Sequence, residues 1–260
     1  MVAMEQLAQA RIVMWEGGSL WRLDTPWHVA ATPPRTGFHA HHAVQIVFSL
    51  GGRFRLWTRD SEMSGPCVAV AADVPHRFDA EGAYAILFVE PESRAGRAIA
   101  AATFGGADLR ALSADVFESL GDLLSALGGH PAPERDELVA YGREMIERLA
   151  GDRRHEVLDP RVAAVVALAG RDQGDRLTLD DAAGVAGLSA SRLSHLFVEQ
   201  TGLSFKTYRL WIRLTRAVGL MTEGLTLTAA AHEAGFSDSA HFSRTFRRMF
   251  GIAPASLKLV

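Results

Sequence analysis

Two segments near the end of the chain place polar side chains opposite an apolar helical stripe. Leu193, Leu196 and Phe197 recur at helical spacing in the first segment, as do Phe242 and Phe246 in the second. Hydroxyls, imidazoles and guanidiniums on the opposite faces can donate to base edges or phosphates in a major groove. These candidate DNA-binding residues are Ser191, Arg192, Ser194 and His195, and Ser239, His241, Ser243, Arg244, Arg247 and Arg248. One such face would be an ordinary solvated helix surface, but two matched faces on repeated segments favour a DNA-binding function.

Both segments belong to an internal repeat, whose copies span residues 177–204 and 225–254. A threonine precedes the first helix of each copy as a candidate N-cap, and a glycine ends that helix: Thr178 and Gly187, then Thr226 and Gly235. Glycine tolerates the left-handed backbone of a tight turn, and the serine that follows each turn can cap the next helix. This order predicts two helix-turn-helix units.

A long amphipathic helix is predicted between the copies, over 205–222. Tyr208 and Ile212 are available for packing, whereas Arg209, Arg213 and Arg216 are expected to lie outside. A rigid helix of this kind would hold two reading helices at a fixed separation, so that both reach neighbouring major-groove segments about 34 Å apart.

The end of the chain carries a set of short motifs: Gly235-Phe236-Ser237, Phe242-Ser243-Arg244, Phe246-Arg247-Arg248, Phe250-Gly251 and Pro254. With them, residues 160–260 resemble the DNA-binding domain of the AraC/XylS family of bacterial transcription regulators. By position, the resemblance implies that bases are read by Ser191, Ser194 and His195, and by Ser239, Ala240, Ser243 and Arg244. It also implies a cupin-like sensor barrel before this domain, contact with RNA polymerase, and activation more often than repression.

The region from 43 to 91 alternates short apolar runs with turn signals, which predicts a small barrel or sandwich. Just before it, Gly37-Phe38-His39-Ala40-His41-His42, with Gln45, resembles the first cupin motif. His76 stands where the second cupin motif supplies a third histidine. His39, His41 and His76 could therefore hold a divalent metal. Alternatively, with Gln45, they line a pocket for an organic effector. Because Gln45 replaces the acidic ligand of the motif, pocket lining is the preferred prediction.

Residues 94–150 are rich in alanine and leucine and predict a helical hairpin, broken near 128–133 by glycine and proline. Its apolar ridge packs either against the barrel of its own chain or in a two-fold homodimer; the ridge consists of Val116, Leu120, Leu123, Leu124 and Leu127. We therefore predict an α+β protein. It would have a sensor barrel over 1–93, the hairpin over 94–150, a charged linker over 151–157 and an all-α DNA-binding domain over 158–260.

Composition restricts the function further. Residues 158–260 hold 12 Lys/Arg and 9 Asp/Glu, whereas 1–157 hold 15 and 21, so only the C-terminal part has the charge expected opposite phosphates. No apolar run is long enough for a membrane helix, and the single cysteine, Cys67, excludes an internal disulfide; both indicate a cytoplasmic protein.

The main alternative function is a metal-dependent cupin enzyme with a helical appendage. The missing acidic ligand and the helical half argue against it, and the prediction is a ligand-responsive transcription regulator without enzymatic activity.

Overall fold

The computed structural model describes residues 8–25, 36–151, 157–172 and 177–260. Contacts divide the chain into two compact units: Met1–His155 together with Phe246–Val260, and Glu156–Thr245. Most of the predicted linker lies outside the described residues. The predicted boundaries between barrel, hairpin, linker and DNA-binding domain stay predictions.

The first unit is built on one antiparallel sheet with a parallel edge. Its strands are β1 (Ala8–Trp15), β2 (Gly18–Thr25), β3 (Val44–Ser49), β4 (Arg53–Trp57), β5 (Glu62–Ser64), β6 (Cys67–Val70), β7 (Arg77–Val89), β8 (Leu109–Ala111) and β9 (Leu257–Leu259). The strand order is β8-β6-β3-β7-β2-β1-β9, with β4 between β5 and the first part of β7. The α+β class is thus confirmed. The strand path is open, so the finer expectation of a cupin-like barrel is not confirmed.

Three of the strands, β1, β2 and β9, were missed because their patterns are mixed or short. The β1–β2 hairpin lies in a part of the chain for which the sequence indicated no element, although Ile12, Val13 and Leu20 are buried. The short β9 pairs in parallel with β1 and corrects the expectation that residues 158–260 are all helical. A three-residue edge strand has too little periodicity to be recognised in sequence.

The helices of the first unit are α1 (Arg94–Thr103), α2 (Ala114–Ser119), α3 (Gly121–Gly128) and α4 (Arg135–Ala150). The second arm of the predicted hairpin is confirmed as α4. The first arm is wrong as one helix, because Gly105 and Gly106 adopt positive φ and the chain then forms β8, which pairs with β6.

The apolar ridge of this segment packs inside its own unit. Leu120 and Leu127 are fully buried, and Leu123 and Leu124 nearly so, in the core that also contains Leu87. Packing against the sheet of the same chain is therefore the alternative that the structure supports for these leucines. Homodimerisation stays a prediction, and it would need a different apolar surface.

Gly142 allows α4 to approach β1 closely. A Cβ atom at this position would lie 2.3 Å from the Trp15 ring. We expect Gly142→Ala to destabilise the protein by about 1–3 kcal/mol through overpacking. The matched control is Gly184→Ala, in a helix with open space around the glycine, where alanine should stabilise by about 0.5–1 kcal/mol. Urea denaturation followed by circular dichroism measures both changes, and equal shifts would contradict the close contact.

The second unit contains α5 (Pro160–Arg171), α6 (Leu179–Ala186), α7 (Ala190–Thr201), α8 (Phe205–Thr222) and α9 (Leu227–Glu233), and the first part of α10 (Ser239–Phe250). Apolar residues of α5, α7 and α8 form its core, including Val162, Val165, Leu193, Phe197 and Tyr208. Over the residues described, none of the helices combines the length and apolar character that membrane crossing requires.

The arginines of α8 are used inside this unit, which corrects the expectation that they lie outside. Arg209 pairs with Asp172 at 3.2 Å, and Arg213 donates from Nη1 to the Gly235 carbonyl at 3.1 Å. Arg213 thereby ties α8 to the turn between α9 and α10. Hydrophobic periodicity could not show this, because it does not report which carbonyl a guanidinium reaches.

Candidate nucleic-acid interface and buried histidine cluster

The two helix-turn-helix units are formed by α6–α7 and α9–α10. Thr178 and Thr226 cap their helices as predicted, each accepting a hydrogen bond from a backbone N–H of the first turn. Gly187 and Gly235 have φ values of 63° and 82°, the left-handed conformation for which glycine was expected. The turns are therefore set by the residues that the repeat singled out.

The second helix of the second unit is capped by a residue that sequence reasoning missed. Asp238, not Ser237, accepts the His241 N–H through Oδ1 at 2.6 Å. This backbone hydrogen bond, with a further one from Ser237, lowers the pKa of Asp238. An aspartate before a helix is itself a common N-cap signal and could have been recognised.

On α7, the candidate residues differ in exposure. Ser191, Arg192 and His195 are exposed. Ser194 is half-buried, and its hydroxyl donates to the Ala190 carbonyl at 2.9 Å. The hydroxyl proton of Ser194 is therefore already engaged within the helix.

On α10, the guanidiniums of Arg244, Arg247 and Arg248 are exposed, and the helix itself contains no acidic residue. Ser239 and Ser243 are half-buried. His241 is also half-buried, because its ring packs against Phe236 at 5.2 Å between centroids and contacts the Ser237 hydroxyl. The most accessible hydrogen-bond donors of this helix are thus its arginines.

The three histidines singled out in the first unit meet in its interior. His39 and His76 form an antiparallel backbone bridge, each donating its N–H to the carbonyl of the other at 2.9 and 2.8 Å. His41, two residues after His39, projects into the same cluster, and the ring centroids lie 4.3–5.9 Å apart. One nitrogen from each ring lies within 4.8 Å of the others. We call these three residues the histidine cluster.

Hydrogen bonds orient the cluster. The Nδ1 atoms of His39 and His76 lie 2.8 Å from the carbonyl oxygens of Gly37 and Val74, so both Nδ1 atoms donate and both Nε2 atoms keep a lone pair. Gln45 Oε1 lies 2.8 Å from His41 Nε2 and 3.3 Å from His76 Nε2. The amide nitrogen of Gln45 is buried without a hydrogen-bond partner among the described residues. With the amide in this orientation, two acceptor atoms face each other: His76 Nε2 and Gln45 Oε1.

Burial keeps the cluster uncharged. Desolvation lowers the pKa of His39 to about 3 and, with the neighbouring His76 and His39, lowers that of His41 well below its usual value. Desolvation also lowers the pKa of His76. At neutral pH the cluster therefore presents neutral imidazoles, the form that binds metal ions.

The adjacent His42 has the opposite environment. Its Nδ1 lies 2.7 Å from Asp73 Oδ2, and its Nε2 contacts Glu92 Oε1. Although burial opposes protonation, the hydrogen bonds to Asp73 and Glu92 raise the pKa of His42 to about 9. His42 is therefore a buried imidazolium between two carboxylates. Both of its ring nitrogens are engaged, so it is not a candidate ligand of the histidine cluster site.

The end of α10 covers the histidine cluster, a feature that the sequence did not reveal. The Phe250 ring lies 5.0 Å from Trp21, 5.8 Å from Phe88 and 6.0 Å from His41. The next residue, Gly251, accepts a hydrogen bond from Gly37 N–H at 3.1 Å. All of these residues belong to the first unit.

Comparison with known proteins agrees with this geometry. A family model described as "Helix-turn-helix domain" matches residues 182–258. The Msm operon regulatory protein of Streptococcus mutans is 35% identical over 86 residues, which are 33% of this chain and 31% of the relative. The arabinose operon regulatory protein of Escherichia coli is 37% identical over 72 residues, 27% of this chain and 25% of the relative. Residues 182–258 thus form a helix-turn-helix domain similar to the corresponding part of these two operon regulatory proteins.

The likeness to a solved structure extends over more of the chain. ToxT from Vibrio cholerae, in a structure with an unsaturated fatty acid bound, has a TM-score of 0.56 and covers 93% of this chain and 95% of its own. At 14% sequence identity this likeness concerns the fold alone. The matched part spans between a quarter and a third of the length of the curated relatives named above.

Proposed function

We propose that the chain is a sequence-specific DNA-binding transcription regulator in which α7 and α10 enter the major groove. The observation that carries this proposal is the pair of helix-turn-helix units, each with exposed donors on its second helix. The helix-turn-helix places its second helix in the groove and its first across the backbone.

Within these helices, exposure divides the roles. Arg192 and Arg244 are the proposed base readers, because an exposed guanidinium can bind guanine bidentately. Arg247 and Arg248, nearer the end of α10, are proposed to contact phosphate. The shorter or half-buried side chains complete the proposed surface: Ser191, Ser194, His195, Ser239, His241 and Ser243.

We further propose that the first unit receives an effector at the histidine cluster, with Gln45. Buried polar groups that converge within an apolar surround are typical of ligand sites. The fatty acid named with the structurally similar ToxT supports a small-molecule effector for this fold in general. A cupin-like sensor domain, activation, contact with RNA polymerase and a homodimer remain proposals that rest on family resemblance.

The alternative is a metal-dependent enzyme. In a catalytic metal site a coordination position stays open for water or substrate. Here Phe250 covers the histidine cluster, and Gln45 stands in the place of the acidic ligand. Both features favour a sensing site over a catalytic one.

DNA selected by the full-length protein from a random duplex pool tests the proposal. We expect one preferred sequence, bound about 10³–10⁷ times more tightly than unrelated DNA. With Arg247 and Arg248 as the two proposed phosphate contacts, log affinity should fall with log salt with a slope of about −2. Fluorescence anisotropy measures both quantities. Equal binding to all sequences would contradict sequence-specific regulation.

A further inference from the structure

We propose that His39, His41 and His76 bind one divalent transition-metal ion, and that α10 transmits its binding to DNA affinity through Phe250 and Gly251. The inference rests on the proposed function and names the effector of its sensing site. It concerns two features that neither the family model nor the relatives assign: the ion and its coupling to the last helix.

The donor set fits such an ion. Metal-binding histidines commonly donate their second ring N–H to a backbone carbonyl, which fixes the ring and leaves the other nitrogen free to coordinate. His39 and His76 both have this arrangement, through Gly37 and Val74. Neutral imidazole suits Zn²⁺, Cu²⁺, Ni²⁺ and Fe²⁺, whereas Mg²⁺ and Ca²⁺ prefer oxygen.

Gln45 supplies the second observation. It is 2% exposed, and its amide oxygen faces the nitrogen lone pair of His76 at 3.3 Å. Two buried acceptors at this distance repel each other, while the amide nitrogen of Gln45 has no partner among the described residues. Rotation of the Gln45 amide would remove this conflict, and so would a cation within the cluster, toward which Gln45 Oε1 and the imidazole nitrogens would all point.

Binding would also shift the rings. Nitrogen ligands lie about 2.0–2.1 Å from Zn²⁺, so two nitrogens on one ion are at most about 4.2 Å apart. The three ring nitrogens now lie within 4.8 Å of one another, so the longest of these separations must shorten. His39 lies against the chain just after α10, because a Cβ atom built on Gly251 would lie only 2.5 Å from His39 Nδ1. His41 is likewise in contact with Phe250. Because both rings border residues 250–251, we infer that drawing them together also displaces the end of α10.

The same helix carries the candidate base reader Arg244, about 1.7 turns before Phe250. Because α10 is continuous between these residues, an adjustment at Phe250 changes the balance between arrangements of the helix that bind the operator well and poorly. An effector shifts an equilibrium only by its differential affinity for the two states. Metal and operator must then affect each other's affinity by the same factor.

The test uses full-length protein, stripped with chelator and reloaded with Zn²⁺ or Co²⁺, and the operator obtained by selection. We expect one bound ion per chain by mass spectrometry under native conditions, and the visible absorption of Co²⁺ in a nitrogen site. His76→Ala should lose both, whereas His130→Ala, at an exposed histidine outside the cluster, should keep both. Failure of the folded wild-type protein to bind an ion would overturn the inference.

Coupling is tested with Phe250→Leu against Phe54→Leu, a matched change at a buried phenylalanine that packs on Phe78. In wild type and Phe54→Leu, saturating Zn²⁺ should change operator affinity by about 5–150-fold. In Phe250→Leu the ion should still bind, but this change should disappear. An unchanged response in Phe250→Leu, or no response in wild type, would overturn the coupling. Absence of any preferred operator would instead contradict the proposed function, while metal-independent operator binding would contradict only this inference.

Discussion

His42→Ala is expected to lower the free energy of unfolding by about 3–5 kcal/mol, because it removes the cation from a buried ion pair and leaves the carboxylates behind. Glu92 is only 5% exposed, so little bulk water reaches its carboxylate to replace the imidazolium. Asp73, at 35% exposed, is partly hydrated and contributes less. Urea denaturation at neutral pH, followed by tryptophan fluorescence, measures the loss.

Two comparisons make this prediction specific. Arg53→Ala breaks an exposed ion pair with Glu81, at 3.6 Å, and should change stability by only about 0–1 kcal/mol. Adding Glu92→Gln to His42→Ala should restore part of the loss, because the buried charge is then removed. A His42→Ala protein within 1 kcal/mol of wild type would mean that water reaches Glu92 in solution.

The sequence predicted what depends on local chemistry. The N-caps Thr178 and Thr226 and the left-handed Gly187 and Gly235 follow from side-chain reach and backbone sterics within a few residues. The helix-turn-helix repeat was therefore recognisable from one chain.

What the sequence did not predict depends on contacts between distant residues. Phe250 carries the pattern of an ordinary core residue of its helix, and nothing local indicates that its ring lies against Trp21 and His41. In the same way, the leucines near Leu120 have a helical spacing that suits either an internal core or a dimer. Periodicity shows which face is apolar, but it does not identify the surface that covers it.

The histidine cluster falls between these cases. The resemblance to the two cupin motifs suggested His39, His41 and His76 as partners. The backbone bridge between His39 and His76 then supplied the geometry. The contacts of His42 with Asp73 and Glu92 could not be predicted from the sequence, because neither carboxylate is near His42 in the chain.

The double variant Arg192→Ala, Arg244→Ala is expected to lower affinity for the selected operator by roughly 30- to 20,000-fold, because each base-reading arginine contributes about 1–3 kcal/mol and every 1.4 kcal/mol is tenfold. The two residues lie on different reading helices, α7 and α10, and both are exposed. Their substitution leaves no buried polar group unpaired, so the fold should survive. Fluorescence anisotropy at fixed salt measures the loss, with circular dichroism as the control for folding.

Specificity decides what the two arginines do. If they read bases, the loss on unrelated DNA should be small and the preference at two operator positions should relax. Arg247→Ala serves as the comparison, because a phosphate contact should weaken binding to all sequences alike and reduce the magnitude of the salt slope by about 1. Lys258→Ala, at an exposed lysine outside both reading helices, should change neither quantity. Should the double variant lose the same factor on operator and unrelated DNA, Arg192 and Arg244 would be phosphate contacts. Sequence reading would then rest on the hydroxyls and imidazoles of α7 and α10.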